Sequence, residues 1–186
     1  MKTILFGLLL ALNVSAQEVV VPVVMETSMG TIEIDLFETK APRTVANFLK
    51  YVDEKFYNDT IFHRVIDGFM IQGGGFTKSM KEKPTHDPIR HEGNTNLSND
   101  VGVLAMARTN DPHSATAQFF INVENNSRLN HLGPTESGWG YVTFGKVTKG
   151  MDVVNMIKKV KTGTNGGHEN VPVKPVVIKS IHRKKK

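Results

Sequence analysis

The chain is punctuated too often to be built from long helices. Short runs rich in aromatic and β-branched residues, at Thr60 to Val65, Phe69 to Gln72, Val101 to Ala107, Phe119 to Val123 and Val142 to Val147, are separated by Gly, Asn, Asp and Pro. This is the pattern of strands joined by tight connections. Upstream, VVMETSMGTIEIDLF holds two extended runs around Ser28-Met29-Gly30, and in the second Ile32, Ile34 and Leu36 alternate with Thr31, Glu33 and Asp35. That period of two is a half-buried strand, so the segment predicts a hairpin. The closing run VKPVVIKSIHR is strand-like as well. Only two stretches change period. In TKAPRTVANFLKYVDEKFY, residues Val45, Phe48, Leu49 and Val52 fall at i, i+3, i+4 and i+7 behind Pro42, an apolar helical stripe with proline in its first turn. MDVVNMIKKV from Met151 is the second. Many strands with two helices do not form a regular βαβ alternation, so an antiparallel sheet is expected. Closing it into a barrel removes its edges and leaves the two helices to cover the open ends.

The first sixteen residues, MKTILFGLLLALNVSA, have the layout of a secretory signal: Lys2, an apolar run from Ile4 to Leu12, then the small-residue site Val14-Ser15-Ala16. The run is too short to span a bilayer, which takes about 20 apolar residues. An exported protein starting at Gln17 is expected, with residues 17–182 as one domain and 183–186 as a basic tail. The chain has no cysteine, which excludes disulfides, a thiol nucleophile and a thiolate metal site. Losing Lys2 with the leader lowers the formal charge from +5 to +4, and Arg183, Lys184, Lys185 and Lys186 account for all of it. The body is therefore balanced, which argues against a nucleic-acid partner, and the tail is expected to be solvated and frayed.

Two long irregular segments, Thr77 to Asp100 and Glu124 to Gly140, are candidates for functional loops. His86, His91 and Glu92 form the one local cluster of metal-ligand types, but their spacing fits no zinc pattern, so surface positions on a mobile loop are expected. No GxSxG elbow is present. Gly73-Gly74-Gly75 follows a strand without phosphate-loop spacing, and predicts a bulge or a close backbone approach.

What remains is FHRVIDGFMIQGGGF at 62 to 76, which sets one permanent cation, Arg64, among residues suited to a dry pocket. Read alone, Arg64 is a structural ion-pair partner of Glu33, Asp35 or another acid, or a catalytic group, and Phe69, Phe120 and Leu129 are core or pocket. Together with ARTNDPHSATAQFFIN at 107 to 122 and GYVTFGKVTKGMDVV at 140 to 154, the stretch resembles the cyclophilins, the peptidyl-prolyl isomerases, from about Val23 to Ile181. The leader, the ART motif and the missing cysteines are most similar to the periplasmic cyclophilins of Gram-negative bacteria.

The resemblance implies a mainly β fold, a closed eight-stranded antiparallel β-barrel capped by two α-helices. It implies Arg64 as the catalytic arginine and Phe69, Met70, Phe120 and Leu129 as the apolar wall of a proline pocket. Gln72 and Gln118 match the polar groups beside it, Ala107 and Arg108 the backbone groove for residues preceding proline, and Tyr141 a position that is Tyr in bacterial members. No metal or organic cofactor is implied. The expected partners are proline-containing polypeptides, as unfolded or loop segments, with no nucleic acid and no membrane insertion. A monomer in the bacterial periplasm is expected. Arg128 stands where the family has an aromatic residue bordering the cyclosporin site, so cyclosporin binding is expected to be weak. A non-catalytic module that only holds proline segments is the alternative.

Overall fold

The structure, a computed structural model, describes residues 18–135 and 137–185. The expected leader lies outside the described residues. Strands β1 (Val20–Thr27), β2 (Gly30–Phe37), β3 (Thr60–Ile66), β4 (Met70–Thr77), β5 (Val103–Met106), β6 (Phe119–Asn122), β7 (Thr143–Lys149) and β10 (Val176–Arg183) close into an antiparallel barrel of order β1-β10-β3-β4-β6-β5-β7-β2. Helix α1 (Pro42–Asp53) and helix α2 (Met151–Lys158) complete it, and a separate hairpin is made by β8 (Thr162–Asn165) and β9 (His168–Pro172).

The expected hairpin is β1 with β2, in register from Val20 opposite Phe37 to Thr27 opposite Gly30. Its alternation is realised as written: Ile32, Ile34 and Leu36 are fully buried. The barrel interior is filled by this inward set, with Val65, Ile71, Ile121 and Leu104 laterally paired across four strands. The α1 stripe of Val45, Phe48, Leu49 and Val52 enters the same core, where the Phe48 ring lies 5.5 Å from Phe119 and 5.2 Å from Phe144. Val153, Val154 and Ile157 of α2 enter it too. Helix α1 follows the end of β2, whereas α2 begins at Gly150, packed against Thr31 at the start of β2. The helices therefore stopper opposite ends.

The three glycines extend β4 beyond the expected Phe69 to Gln72, and the β3–β4 register shifts twice alongside them. Gly74 has φ +84°, and a Cβ there would lie 2.8 Å from Phe119 and 2.9 Å from Tyr57. At Gly75 a Cβ would lie 2.5 Å from the Gln118 side chain. The glycines thus serve the close approach that their pattern predicts.

Two expectations need correction. The segment carrying His86, His91 and Glu92 is irregular but anchored rather than mobile. His91 is 8% exposed, packed against Trp139 at 5.1 Å. Glu92 accepts the backbone N–H groups of Arg43 and Thr44 and the Thr44 hydroxyl, at 2.9, 2.7 and 2.6 Å. It caps α1, whose own Ala41 has no capping side chain. The basic tail is held as far as Lys184: Arg183 belongs to β10 opposite Val23 and forms a two-pronged pair with Asp53, and the Lys184 N–H donates to the Pro22 carbonyl at 2.9 Å. Near the C-terminus the β8–β9 hairpin reverses at Gly166-Gly167, with φ +58° and +79°.

The Glu92 cap is testable. Glu92→Ala removes an acceptor for two orphan helix donors at the positive end of the helix dipole, so urea denaturation should show a loss of about 1 to 2 kcal/mol. Glu92→Gln should lose less, because it keeps one acceptor oxygen. An unchanged midpoint in Glu92→Ala would mean that water replaces the cap without cost.

Candidate active site

Strand pleating puts the next residues along each strand on the outer face. The register aligns Arg64 of β3 with Gln72 of β4, Gln72 with Phe120 of β6, and Phe120 with Ala105 of β5. One lateral row on the barrel's exterior thus carries a cation, an amide, an aromatic ring and a small floor residue. In the neighbouring row Ile66 lies opposite Met70. Met70, Ala105 and Phe120 are buried as a cluster distinct from the barrel core, with Ile66, Phe69, Ala107, Leu129 and Tyr141 packed around them. All the predicted wall residues, Phe69, Met70, Phe120 and Leu129, meet there, and Tyr141 joins them with its ring edge-on to Phe120 at 5.4 Å. They form an apolar cluster on the outer face, separate from the barrel core.

The polar side is equally organised. Gln72 Nε2 donates to Gln118 Oε1 at 3.0 Å, and Gln118 Nε2 donates to Glu82 Oε1 at 3.1 Å. The Ala107 N–H is taken by the Gln118 carbonyl at 2.9 Å, so a substrate hydrogen bond at Ala107 must use its carbonyl. The Arg108 guanidinium turns aside: Nε donates to the Gly140 carbonyl at 2.8 Å, and the group lies 4.8 Å from the Tyr141 ring centroid. Its side chain props Tyr141 against the pocket.

Arg64 is half-buried, with its guanidinium 5.9 Å from the Phe69 ring centroid. Among the described residues no carboxylate pairs with it; Glu33 pairs instead with Lys149 and Lys184. The ion-pair reading of Arg64 therefore has no partner there. Arg64 also borders a groove of about 590 Å³ lined by His63, Gln72, Phe76, Glu82, Gln118 and the β8–β9 hairpin. The site holds a fixed cation, neutral amides and apolar surface, with the Glu82 and Glu169 carboxylates on the groove side. No group of three or more His, Asp or Glu among the described residues is arranged to hold a metal ion.

Four asparagines that sequence reading passed over as turn formers brace the wall. Asn126 Nδ2 donates to the Phe69 carbonyl and to Asn122 Oδ1, both at 2.8 Å. Asn122 Nδ2 donates to Asn99 Oδ1 at 3.2 Å, and Asn99 Nδ2 donates to Asn130 Oδ1 at 3.0 Å. The chain then turns through Ser127–Leu129, a single 3-10 turn, and the Leu129 carbonyl accepts the Tyr141 N–H at 2.9 Å. Phe69, Leu129 and Tyr141 are tied by one network. Its only sequence signal is the density of Asn around the second irregular segment.

The closed β-barrel thus carries on its outer face an apolar cluster whose rings are approached by the guanidiniums of Arg64, Arg108 and Arg128. Residues 22–183 match the family of cyclophilin type peptidyl-prolyl cis-trans isomerases/CLD. The chain is 57% identical to peptidyl-prolyl cis-trans isomerase B of Escherichia coli strain K12 over 86% of this chain and 97% of that relative. It is 52% identical to a peptidyl-prolyl cis-trans isomerase of Acinetobacter baylyi, over 97% of this chain and 93% of that relative. A cyclophilin type isomerase of Cryptosporidium parvum, solved in the presence of the dipeptide Ala-Pro, superposes with a TM-score of 0.72 at 27% identity, covering 89% of this chain and 99% of that one. The chain belongs to the cyclophilin-type peptidyl-prolyl cis-trans isomerases, and catalyses the rotation of X-Pro peptide bonds.

Two imidazoles near the site are held neutral. Burial pushes His63 down to about 4, reinforced by His168 and Arg64, and its Nδ1 has no hydrogen-bond partner. Burial likewise lowers His91 to about 4, with His131 and Arg108 adding repulsion and its Nε2 unpartnered. Between pH 6.5 and 4 the unfolded chain binds protons that the folded chain refuses, so stability should be constant above the upper limit and fall through this window. For His63, 5% exposed, the loss is about 3 kcal/mol at the most. Asp53, lowered by the Arg183 hydrogen bonds, loses its contribution only further down, as pH falls below the ordinary carboxylate range. Urea midpoints measured from pH 7.5 to 4.5 should decline, and His63→Leu should flatten the curve; a wild-type midpoint constant across the window would show that both rings accept protons in the folded state.

Proposed function

We propose that Arg64 is the transition-state donor of this isomerase, that the Phe69, Met70, Phe120 and Leu129 cluster seats the proline ring, and that the clients are X-Pro bonds of exported proteins. The observation that carries this reading is the Arg64 guanidinium, without a carboxylate partner among the described residues, beside an apolar cluster on the outer face. Peptide rotation meets a barrier of about 18 to 20 kcal/mol because resonance stiffens the C–N bond. The reaction breaks no bond, so no nucleophile is called for. As the amide twists, conjugation is lost and the proline nitrogen becomes pyramidal, with a lone pair that the planar ground state does not offer. A donor aimed at that lone pair binds the transition state selectively. Arginine can donate there without titrating.

One charge-assisted hydrogen bond contributes roughly 1.5 to 3 kcal/mol, whereas a rate gain on the order of 10⁵ takes about 7 kcal/mol. The seat supplies the rest by holding the ring while the groove at Ala107, Gln118 and Gln72 fixes the preceding residues, and by transferring a less polar twisted amide out of water. The leader-like residues 1–16 and the bacterial relatives support export to a periplasm, where the enzyme would assist folding as a monomer. Arg128 in place of an aromatic supports weak cyclosporin binding.

Arg64→Ala should lower kcat/KM on an X-Pro peptide by on the order of 100-fold, with a smaller change in peptide affinity. Phe120→Ala should weaken both, since the ring touches that wall whether the amide is planar or twisted. Near-full activity in a folded Arg64→Ala protein would remove the transition-state role and leave Arg64 a structural residue. Export is checked separately: osmotic shock should release the protein with Gln17 at its N-terminus, and a cytosolic protein retaining Met1 would refute it.

A further inference from the structure

The seat has two ends of different charge. At one end Gln118 is bonded to Glu82, beside the Ala107 edge. At the other end, where β4 starts and the 3-10 turn passes, stands Arg128. Its side chain is exposed, and its guanidinium lies 4.9 Å from the centroid of the Phe69 ring that Arg64 also approaches. Among the described residues no acid pairs with Arg128 or with Arg64. The backbone beneath Arg128 is fixed, since the Leu129 N–H donates to the Asn126 carbonyl at 2.8 Å and Asn126 holds the Phe69 carbonyl. Two guanidiniums thus share one aromatic wall, each with donors left for a ligand.

We infer that Arg128 is a specificity residue that favours polypeptides with Asp or Glu directly after the proline. The inference rests on the seat assigned above. With the preceding residues along Ala107 and Gln118, the chain leaves the seat past Phe69 toward the 3-10 turn. A carboxylate there meets Arg128, whose fork suits it geometrically. A cation over an aromatic face keeps its in-plane N–H donors directed outward, so stacking on Phe69 and binding a carboxylate are compatible. The opposite arrangement is disfavoured: an acid preceding the proline would approach Glu82.

Exchange NMR on Ala-Ala-Pro-Glu-Ala, Ala-Ala-Pro-Gln-Ala and Ala-Glu-Pro-Ala-Ala tests this without a coupling protease. At low salt kcat/KM should be about threefold higher for the Pro-Glu peptide than for the Pro-Gln peptide, the size expected of one solvent-exposed ion pair. The ratio should fall toward one in about 0.5 M salt, where charges are screened within a few ångströms, and in Arg128→Gln. The Glu-Pro peptide should show no such gain. If both Pro-Glu and Pro-Gln peptides are turned over at equal rates, or if the ratio survives in Arg128→Gln, then Arg128 merely shields Phe69 and the inference is wrong. If instead Arg64→Ala and Phe120→Ala leave turnover of both peptides intact, the assignment of the seat itself fails.

Discussion

The lateral register of β3, β4, β6 and β5 is the constraint on which the rest of this enzyme depends. Side chains alternate across a sheet, so a slip of one residue in any of these pairings would send Arg64, Gln72 or Phe120 into the barrel and bring Val65, Ile71 or Ile121 out. The core enforces the register from within, because the inward row is a continuous apolar layer. The glycines secure it at β4, where Gly74 lets the backbone come against Phe119 and Tyr57. The geometry of the proposed site is therefore a by-product of core packing. The residues that fix the position of Arg64 are the buried ones on either side of it in sequence.

The same arrangement explains how a permanent charge is tolerated next to an apolar cluster. A guanidinium buried without a partner is costly, but Arg64 is only half-buried and faces an open groove. In the proposed function, seating a proline there would exclude water and strengthen the cation's field, with no carboxylate paired to it among the described residues. Neutral His63, immediately before Arg64, matters here. Its burial keeps a second charge from competing at the same edge.

How much could be read from sequence followed from how local each signal was. The Ile32, Ile34, Leu36 alternation and the Val45 to Val52 stripe report burial of one face, and both elements formed as written. The wall residues were recognisable through a segment-wide resemblance, and the structure gathers them into one cluster. What stayed hidden depended on distant partners. Glu92 looks like a loop acid until α1 presents its uncapped N–H groups. His91 looks solvated until Trp139, His113 and His131 fold over it. The Asn99, Asn122, Asn126 and Asn130 network was invisible because asparagine ordinarily signals turns. The β8–β9 hairpin has an exposed first strand, so it lacks the apolar alternation by which strands are found.

The interior of this closed eight-stranded barrel is filled by its own apolar side chains, which leaves a ligand no place there. The site must therefore lie on the outer face, and strands alone make a flat surface there. Walls have to come from irregular chain: Phe69 at the β3–β4 turn, Leu129 on the 3-10 turn, Tyr141 ahead of β7. Irregular chain brings unpaired backbone groups, and the asparagine amides satisfy them while setting the height of each wall. This division separates two kinds of sequence freedom. Positions under the wall are held by hydrogen bonds whose loss would move Phe69 or Leu129, and so alter every substrate alike. Positions on the rim, such as Arg128, touch solvent and one ring face. On the proposed roles, a cation at this rim position would change client preference without disturbing the barrel or the chemistry assigned to Arg64.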